Sequence, residues 1–376
     1  MAQAECPEPN TLRARVAGIV SGRSWSWPQA SEADAFLGAV EAEGVTGLVH
    51  LAMADSPPGH EVPLEVATAL RVRAQAEVAR HMHATREAQR IQGLLWQAGI
   101  PVIWLKGMAL GQWLYPEAHL RRVSDIDLLF PDYPTTLQAT AVLAPLGYAP
   151  PNPHIAGDLV VHELLLTAGH PRLDLDLHWD LSNGALFAGR LDWAALDSDA
   201  MALPGFGAGA RCLAPVHALL HACMHRTANA LAGHPNQLRW LYDFHLLAQV
   251  LGEQDWQRLV EVASGAGLAD CCVEGLRASH AAFATQVPGW TMQALAEAAA
   301  REPVRTHRLG SWGYRQLATL RRLPSLNMRM RWLRQMLFPD LAHLRLRYGA
   351  DGAGQARILA RRLLDGIARW RNYTGP

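Results

Sequence analysis

Two short runs place carboxylates where the alternation of a β-strand would aim them together. In SDIDLLF, Asp125, Asp127 and Leu129 share one face of an extended chain, and Ile126, Leu128 and Phe130 share the other. In LDLDLHW, Asp174, Asp176 and His178 share a face, and Leu173, Leu175, Leu177 and Trp179 take the opposite one, which places Trp179 with the core. Carboxylates inside an apolar run are costly to bury unless something compensates them. A hard divalent cation does so, because Mg²⁺ prefers oxygen ligands and keeps waters and phosphate oxygens in its shell. If the runs are neighbouring strands, their acidic faces converge into a site for one or two Mg²⁺ ions, with Mn²⁺ as the alternative. Two such ions clamp the attacking and leaving oxygens of an in-line displacement. Each pair alone has a plainer reading, as an exposed strand edge or a partner for arginine.

Lys106 adds a third feature. It is the one lysine in a chain whose other basic residues are 33 arginines. An ammonium is a compact point charge on a flexible stem, whereas guanidinium is a wide planar fork. A lone lysine in an arginine-writing chain marks a place where the smaller cation fits, or a residue kept by chance.

The elements that must position these groups are legible around them. Residues 30–100 read as helices. SEADAFLGAVEAEG opens on a Ser31-x-x-Asp34 start resembling a capping box, and a long Ala/Arg/Glu-rich helix carries Ile91, Leu94, Leu95 and Ala98 on one stripe and stops at Gly99. PVIWL is a short buried strand with Lys106-Gly107 at its end, and MALGQWLY begins a helix. SDIDLLF is a second strand closed by Pro131, TTLQATAVLAPLGY a helix ending at Gly147, and DLVVHELLLTAG with RLDLDLHWDL a hairpin around GHP. The fold class is therefore α+β: a small mixed-sheet core over residues 101–182, an N-terminal helical region over 1–100, a helical domain over 183–300 and an Arg-rich helical segment over 301–376.

Taken together, LKGMAL, SDIDLLF, LGY, DLHW and RWLYDF carry a resemblance over roughly Ser31 to Leu247. The strand–turn–helix with glycine, the hDhDhh run and a third acid on a later strand resemble the nucleotidyltransferase fold of the DNA polymerase β superfamily. More narrowly, they resemble a bacterial family of uncharacterised nucleotidyltransferases. The resemblance implies that Asp125 and Asp127 bind two metal ions. It implies that Asp176 is the third carboxylate and the base for an acceptor hydroxyl, with Asp174 as the fallback. Gly107 would let the backbone approach a triphosphate. The superfamily's usual Gly-Ser turn is replaced by Lys106-Gly107-Met108, and methionine supplies no hydroxyl. Lys106 would then bring charge to the phosphates and counts among the catalytic candidates.

Arg121 stands where the narrower family commonly has arginine, to bind phosphate or brace Asp125. Ser124 joins it as a nucleotide-binding candidate, with a hydrogen-bonding role at the start of the strand as the alternative. His178 could touch a bound phosphate, and His225 and Asp243 resemble recurring family positions, Asp243 with Arg239 as an alternative partner at i−4. His217, His221 and His225 fall at i, i+4 and i+8 on one helix, which reads as a polar face more readily than as a zinc stripe. The activity expected is Mg²⁺-dependent transfer of a nucleotide from an NTP to a small-molecule or peptide acceptor. Phosphoryl transfer, tRNA nucleotidylation and a non-catalytic nucleotide-binding module are the alternatives.

The totals set outer bounds. Apolar residues make up 50% of 376, enough for a sizeable core. Net charge is zero, but sixteen arginines face four acids from Arg301 onward, a net of +12 against −12 for the rest. Such asymmetry points to an anionic partner for the segment, RNA among them, or to docking on the body. Beyond charge there is no RNA-binding motif. Five cysteines without C-x-x-C spacing give neither a disulfide framework nor a zinc site. No secretory signal and no apolar run near the ~20 residues of a membrane span are visible, so a cytoplasmic setting is expected.

Overall fold

The computed structural model describes residues 11–23, 32–54, 62–151, 162–169, 173–182, 186–231, 236–323, 325–337, 360, 361 and 364. Ser31, the start of the expected capping box, and nearly all of the Arg-rich segment beyond residue 337 lie outside them. At the near edge of that first gap, the helix beginning at Ala33 has Glu32 as its N-cap, without a side-chain cap bond.

The N-terminal helices are α1 (Leu12–Val20), α2 (Ala33–Ala42), α3 (Thr46–Ala54) and α4 (Leu64–Gln97). The long α4 serves two cores. Val66 and Leu70 pack with Phe36, Val40 and Val49 of the first helices, while Ala84, Ala88, Ile91 and Leu95 pack under the sheet. It stops where Gly99 takes φ +68°, a left-handed conformation that suits glycine.

The sheet has six strands: β1 (Ile103–Trp104), β2 (Asp125–Leu129), β3 (Glu163–Leu166), β4 (Asp174–His178), β5 (Met201–Ala202) and β6 (Arg211–Cys212), in the order β3-β4-β2-β1-β6-β5. The β2–β4 and β1–β6 pairings are parallel and the others antiparallel, so the sheet is mixed. Two strands thus come from beyond residue 182, in the region expected to be mainly helical. They are two residues each, too short to show a period. Helices α5 (Lys106–Trp113), α6 (Tyr133–Leu143) and α7 (Trp193–Asp199) lie between strands.

Period-2 alternation sends the two faces of the sheet to different cores. Trp104, Ile126, Leu128, Leu175 and Leu177 join α4 and α6. On the other face, Ile103, Leu105 and Leu129 join a core built by α8 (Pro215–Leu231), α9 (Leu238–Val250), α10 (Glu253–Ala266), α11 (Ala269–Phe283) and α12 (Gly289–Arg301). Cys212, Cys223, Cys271 and Cys272 are free, buried thiols. Two amphipathic basic helices follow, α13 (Trp312–Arg322) and α14 (Leu326–Leu337). Among the described residues no helix is long and apolar enough to cross a membrane.

Candidate active site

The acidic face forms because β2 and β4 run parallel in one register: Asp125 lies opposite Asp174, Asp127 opposite Asp176 and Leu129 opposite His178. Alternation then puts all four carboxylates and His178 on one side of the sheet. The ligand atoms of Asp127, Asp176 and His178 come within 4.8 Å of one another. Asp125 lies one pleat away, its Oδ1 accepting from the Ser124 hydroxyl at 2.8 Å, and Asp174 is exposed.

Lys106 reaches this face from β1. The Leu105 amide donates to the Asp127 carbonyl at 3.0 Å, which fixes the end of β1 beside Asp127. Lys106 then begins α5 with φ +50°. Left-handed backbone at a residue with a side chain costs of order 1 kcal/mol and is common where function dictates conformation. Its Nζ donates to Asp127 Oδ1 at 2.5 Å. The same oxygen accepts from His178 Nε2 at 3.0 Å. A deprotonated carboxylate only accepts, so Nε2 carries the proton in this contact.

The two facing aspartates have opposite electrostatics. Burial works to raise Asp127, but Lys106 and His178 outweigh it and hold the carboxyl far below its usual range. Asp176 has no such partner. Burial, with the negative charges of Glu163 and Asp127, pushes it up to about 7. Burial also works against the Lys106 charge, yet Asp127 keeps the ammonium above the ordinary lysine value. An uncompensated carboxylate beside a fixed one is a donor set a divalent cation satisfies. Asp127 and Asp176 supply oxygens, while His178 holds Asp127 in place.

Glu163 is a residue the sequence did not single out. Its register opposite His178 on edge strand β3 brings its Oε2 to 3.5 Å from His178 Nδ1. HELLLT shows no alternation that would have marked it. Trp179, expected in the core, is half-buried at the end of β4, with its ring 4.8 Å from that of Tyr133.

The other sequence candidates lie on the opposite wall. Arg121 and Asp243 meet each other. Nε and Nη2 of Arg121 donate to the Asp243 carboxylate at 2.8 Å, and Tyr115 Oη donates to Asp243 Oδ1 at 2.7 Å. Both partners are buried. Burial works against the Arg121 charge, but Asp243 outweighs it and holds the guanidinium above its usual value. Asp243 therefore pairs with Arg121, and Arg239 is left aside. Gly107 packs against this pair, since a Cβ there would lie 3.3 Å from Arg121 Nη1.

The histidines of α8 are enclosed, contrary to the polar face expected of them. His221 is pushed down to about 3 by burial and the nearby Lys106 charge. His225, against the Trp240 ring at 5.2 Å, is held well below its usual value by the same two causes. Both line a cavity of about 40 Å³ behind Lys106, with Arg121, Trp113 and Asp243. Among the described residues the Asp127–Asp176–His178 group is the one that could hold a metal, so no zinc stripe forms.

This geometry meets an independent comparison. A family described as Uncharacterised nucleotidyltransferase matches residues 29–284. The chain belongs to that family. The matched region runs from the N-terminal helices through the sheet to α11, so it includes the acidic face, Lys106 and the Arg121–Asp243 pair. No curated protein and no solved structure matches the chain. The protein is thus a nucleotidyltransferase with a buried Asp-Asp-His group suited to a divalent cation, and family membership implies a nucleotide substrate.

Proposed function

We propose that this nucleotidyltransferase moves a nucleoside monophosphate from an NTP to a hydroxyl or phosphate of a small-molecule or peptide acceptor, using Mg²⁺ and releasing pyrophosphate. The observation that carries the reading is the register of Asp127 opposite Asp176 on parallel strands, next to the Lys106 ammonium. A divalent cation at Asp127 and Asp176, with Asp125 alongside, would neutralise the triphosphate and draw electron density from the α-phosphorus.

The chain's own groups do the rest. Lys106 and His178 keep the Asp127 carboxylate charged and oriented. Asp176 takes the proton from the acceptor oxygen as that oxygen bonds to the α-phosphorus. The bond to the bridging oxygen breaks, and its electron pair leaves with pyrophosphate. Lys106 faces the phosphates from the first position of α5 and adds positive charge where negative charge develops.

Incubation with α- and γ-labelled NTPs, Mg²⁺ and candidate acceptors tests this by mass spectrometry. The acceptor should gain the mass of a nucleotide, the γ label should appear in pyrophosphate, and the folded Asp176→Asn variant should do neither. Release of a nucleoside diphosphate would instead establish phosphoryl transfer on the same scaffold.

A further inference from the structure

One cation on the wall facing the acidic sheet is left without a counter-ion. Arg239, the second residue of α9, is half-buried, and its Nε is enclosed without a hydrogen-bond partner. Among the described residues no carboxylate lies within ion-pair distance of its guanidinium. Asp243, four residues on, is taken by Arg121 and Tyr115. Arg122, also nearby, is turned toward the Glu41 carbonyl and Glu77. Burial and the like charge of Arg121 push Arg239 down to about 10, and Asp125 is the first of the groups opposing them.

The chain is shaped to hold this side chain there. The Arg239 amide donates to the Glu43 carbonyl at 3.2 Å, tying the start of α9 to the loop after α2. Gly44 in that loop has φ +68°, and a Cβ on it would lie 2.7 Å from Arg239 Cδ. The arginine stem therefore crosses the loop where glycine leaves room. A partly desolvated guanidinium repelled by a neighbouring arginine is unfavourable until an anion arrives, and its fork matches phosphate oxygens. Arg239 stands one helical turn before Asp243 on α9, and Asp243's partner Arg121 packs against Gly107 beside Lys106, so that anion lies on the Lys106 side of the helical wall.

We propose that Arg239 contacts the β- and γ-phosphates of the NTP, the part that leaves as pyrophosphate. This rests on the nucleotidyl-transfer reading above. The acidic face and Arg239 then form a bipolar cleft, with the carboxylates on the metal side and the guanidinium on the phosphate side.

The probe is inorganic tripolyphosphate with Mg²⁺, read by calorimetry and by the shift it produces in the melting temperature. Wild type should bind it. Arg239→Gln should bind at least about tenfold more weakly with a ligand-free melt no lower than that of wild type, and Arg239→Lys should bind with intermediate affinity. In turnover, Arg239→Gln should raise KM for the NTP by a similar factor. Equal tripolyphosphate binding by wild type and Arg239→Gln, or no binding by wild type, overturns the assignment. Should Arg239→Gln not fold, wild-type binding by Arg239→Lys overturns it as well, because a point charge cannot reproduce the fork. Failure of the underlying reading shows separately, as NTP turnover that persists in Asp176→Asn.

Discussion

Asp127 and Asp176 are the same residue type in the same strand register, and their neighbours drive them apart. Asp127 has Lys106 and His178 in contact, while at Asp176 burial and the other carboxylates outweigh the pull of His178. Because the folded-state value of Asp176 is raised, the folded protein binds more protons than the unfolded chain between about pH 4 and pH 7. Stability from this group therefore falls as pH rises through that window and stays low above it. In EDTA at pH 8, Asp176→Asn should melt higher than wild type, by about 2 °C for each kcal/mol of strain relieved. At pH 4 the gain should vanish. A lower melting temperature at pH 8 would contradict the electrostatic account. Lys106→Arg tests the lone lysine. The ammonium is 2.5 Å from Asp127 and backed by a cavity of only about 40 Å³, so a guanidinium has to displace something. Turnover should drop by about a hundredfold, in line with removal of one transition-state donor, and wild-type kinetics would return the lysine to chance.

At the scale of elements, what could be read from the sequence was local. The alternation in SDIDLLF and LDLDLHW reveals two strands with acidic faces, and Gly99 reveals the end of α4. Register is not local. That Asp127 stands opposite Asp176 depends on how β2 and β4 align, which no single run encodes. β5 and β6, at two residues each, leave no pattern. The Arg121–Asp243 pair joins residues 122 positions apart, and the pairing of Asp243 at i−4 was the nearer alternative. This pair links the loop before β2 to α9, so it holds the helical wall against the sheet. Removing one partner of a buried pair leaves the other charge uncompensated. Asp243→Ala should lower stability by about 3–5 kcal/mol in denaturant melts, and a double variant that also replaces Arg121 with Met should recover part of that loss. A change below about 1 kcal/mol for Asp243→Ala would mean the pair is solvated and holds nothing.

Over the whole molecule, the acidic body and its neutral histidines set the response to acid. His81, His217, His221, His225 and His245 are all held below the ordinary histidine value, chiefly by burial. A depressed histidine leaves the unfolded chain binding more protons below about pH 6.5, so stability falls as pH falls. His221 alone, at about 3 in the fold, should contribute a loss of about 2 kcal/mol by pH 5. Asp176 acts in the opposite direction over the same range. The Asp176→Asn variant removes that opposition and should show a melting temperature that drops steadily from pH 7 to pH 5. A flat profile in that variant would mean the histidines are hydrated.

Catalysis as proposed requires two aspartates, brought side by side by parallel register, to form a divalent-cation site. Mn²⁺ titration followed by electron paramagnetic resonance measures this without any need for an acceptor. Wild type should bind Mn²⁺, with affinity weakening about tenfold per pH unit below 7 as Asp176 takes up a proton. Folded Asp176→Asn should bind at least about tenfold more weakly at pH 8. Equal Mn²⁺ binding by the two proteins would contradict it.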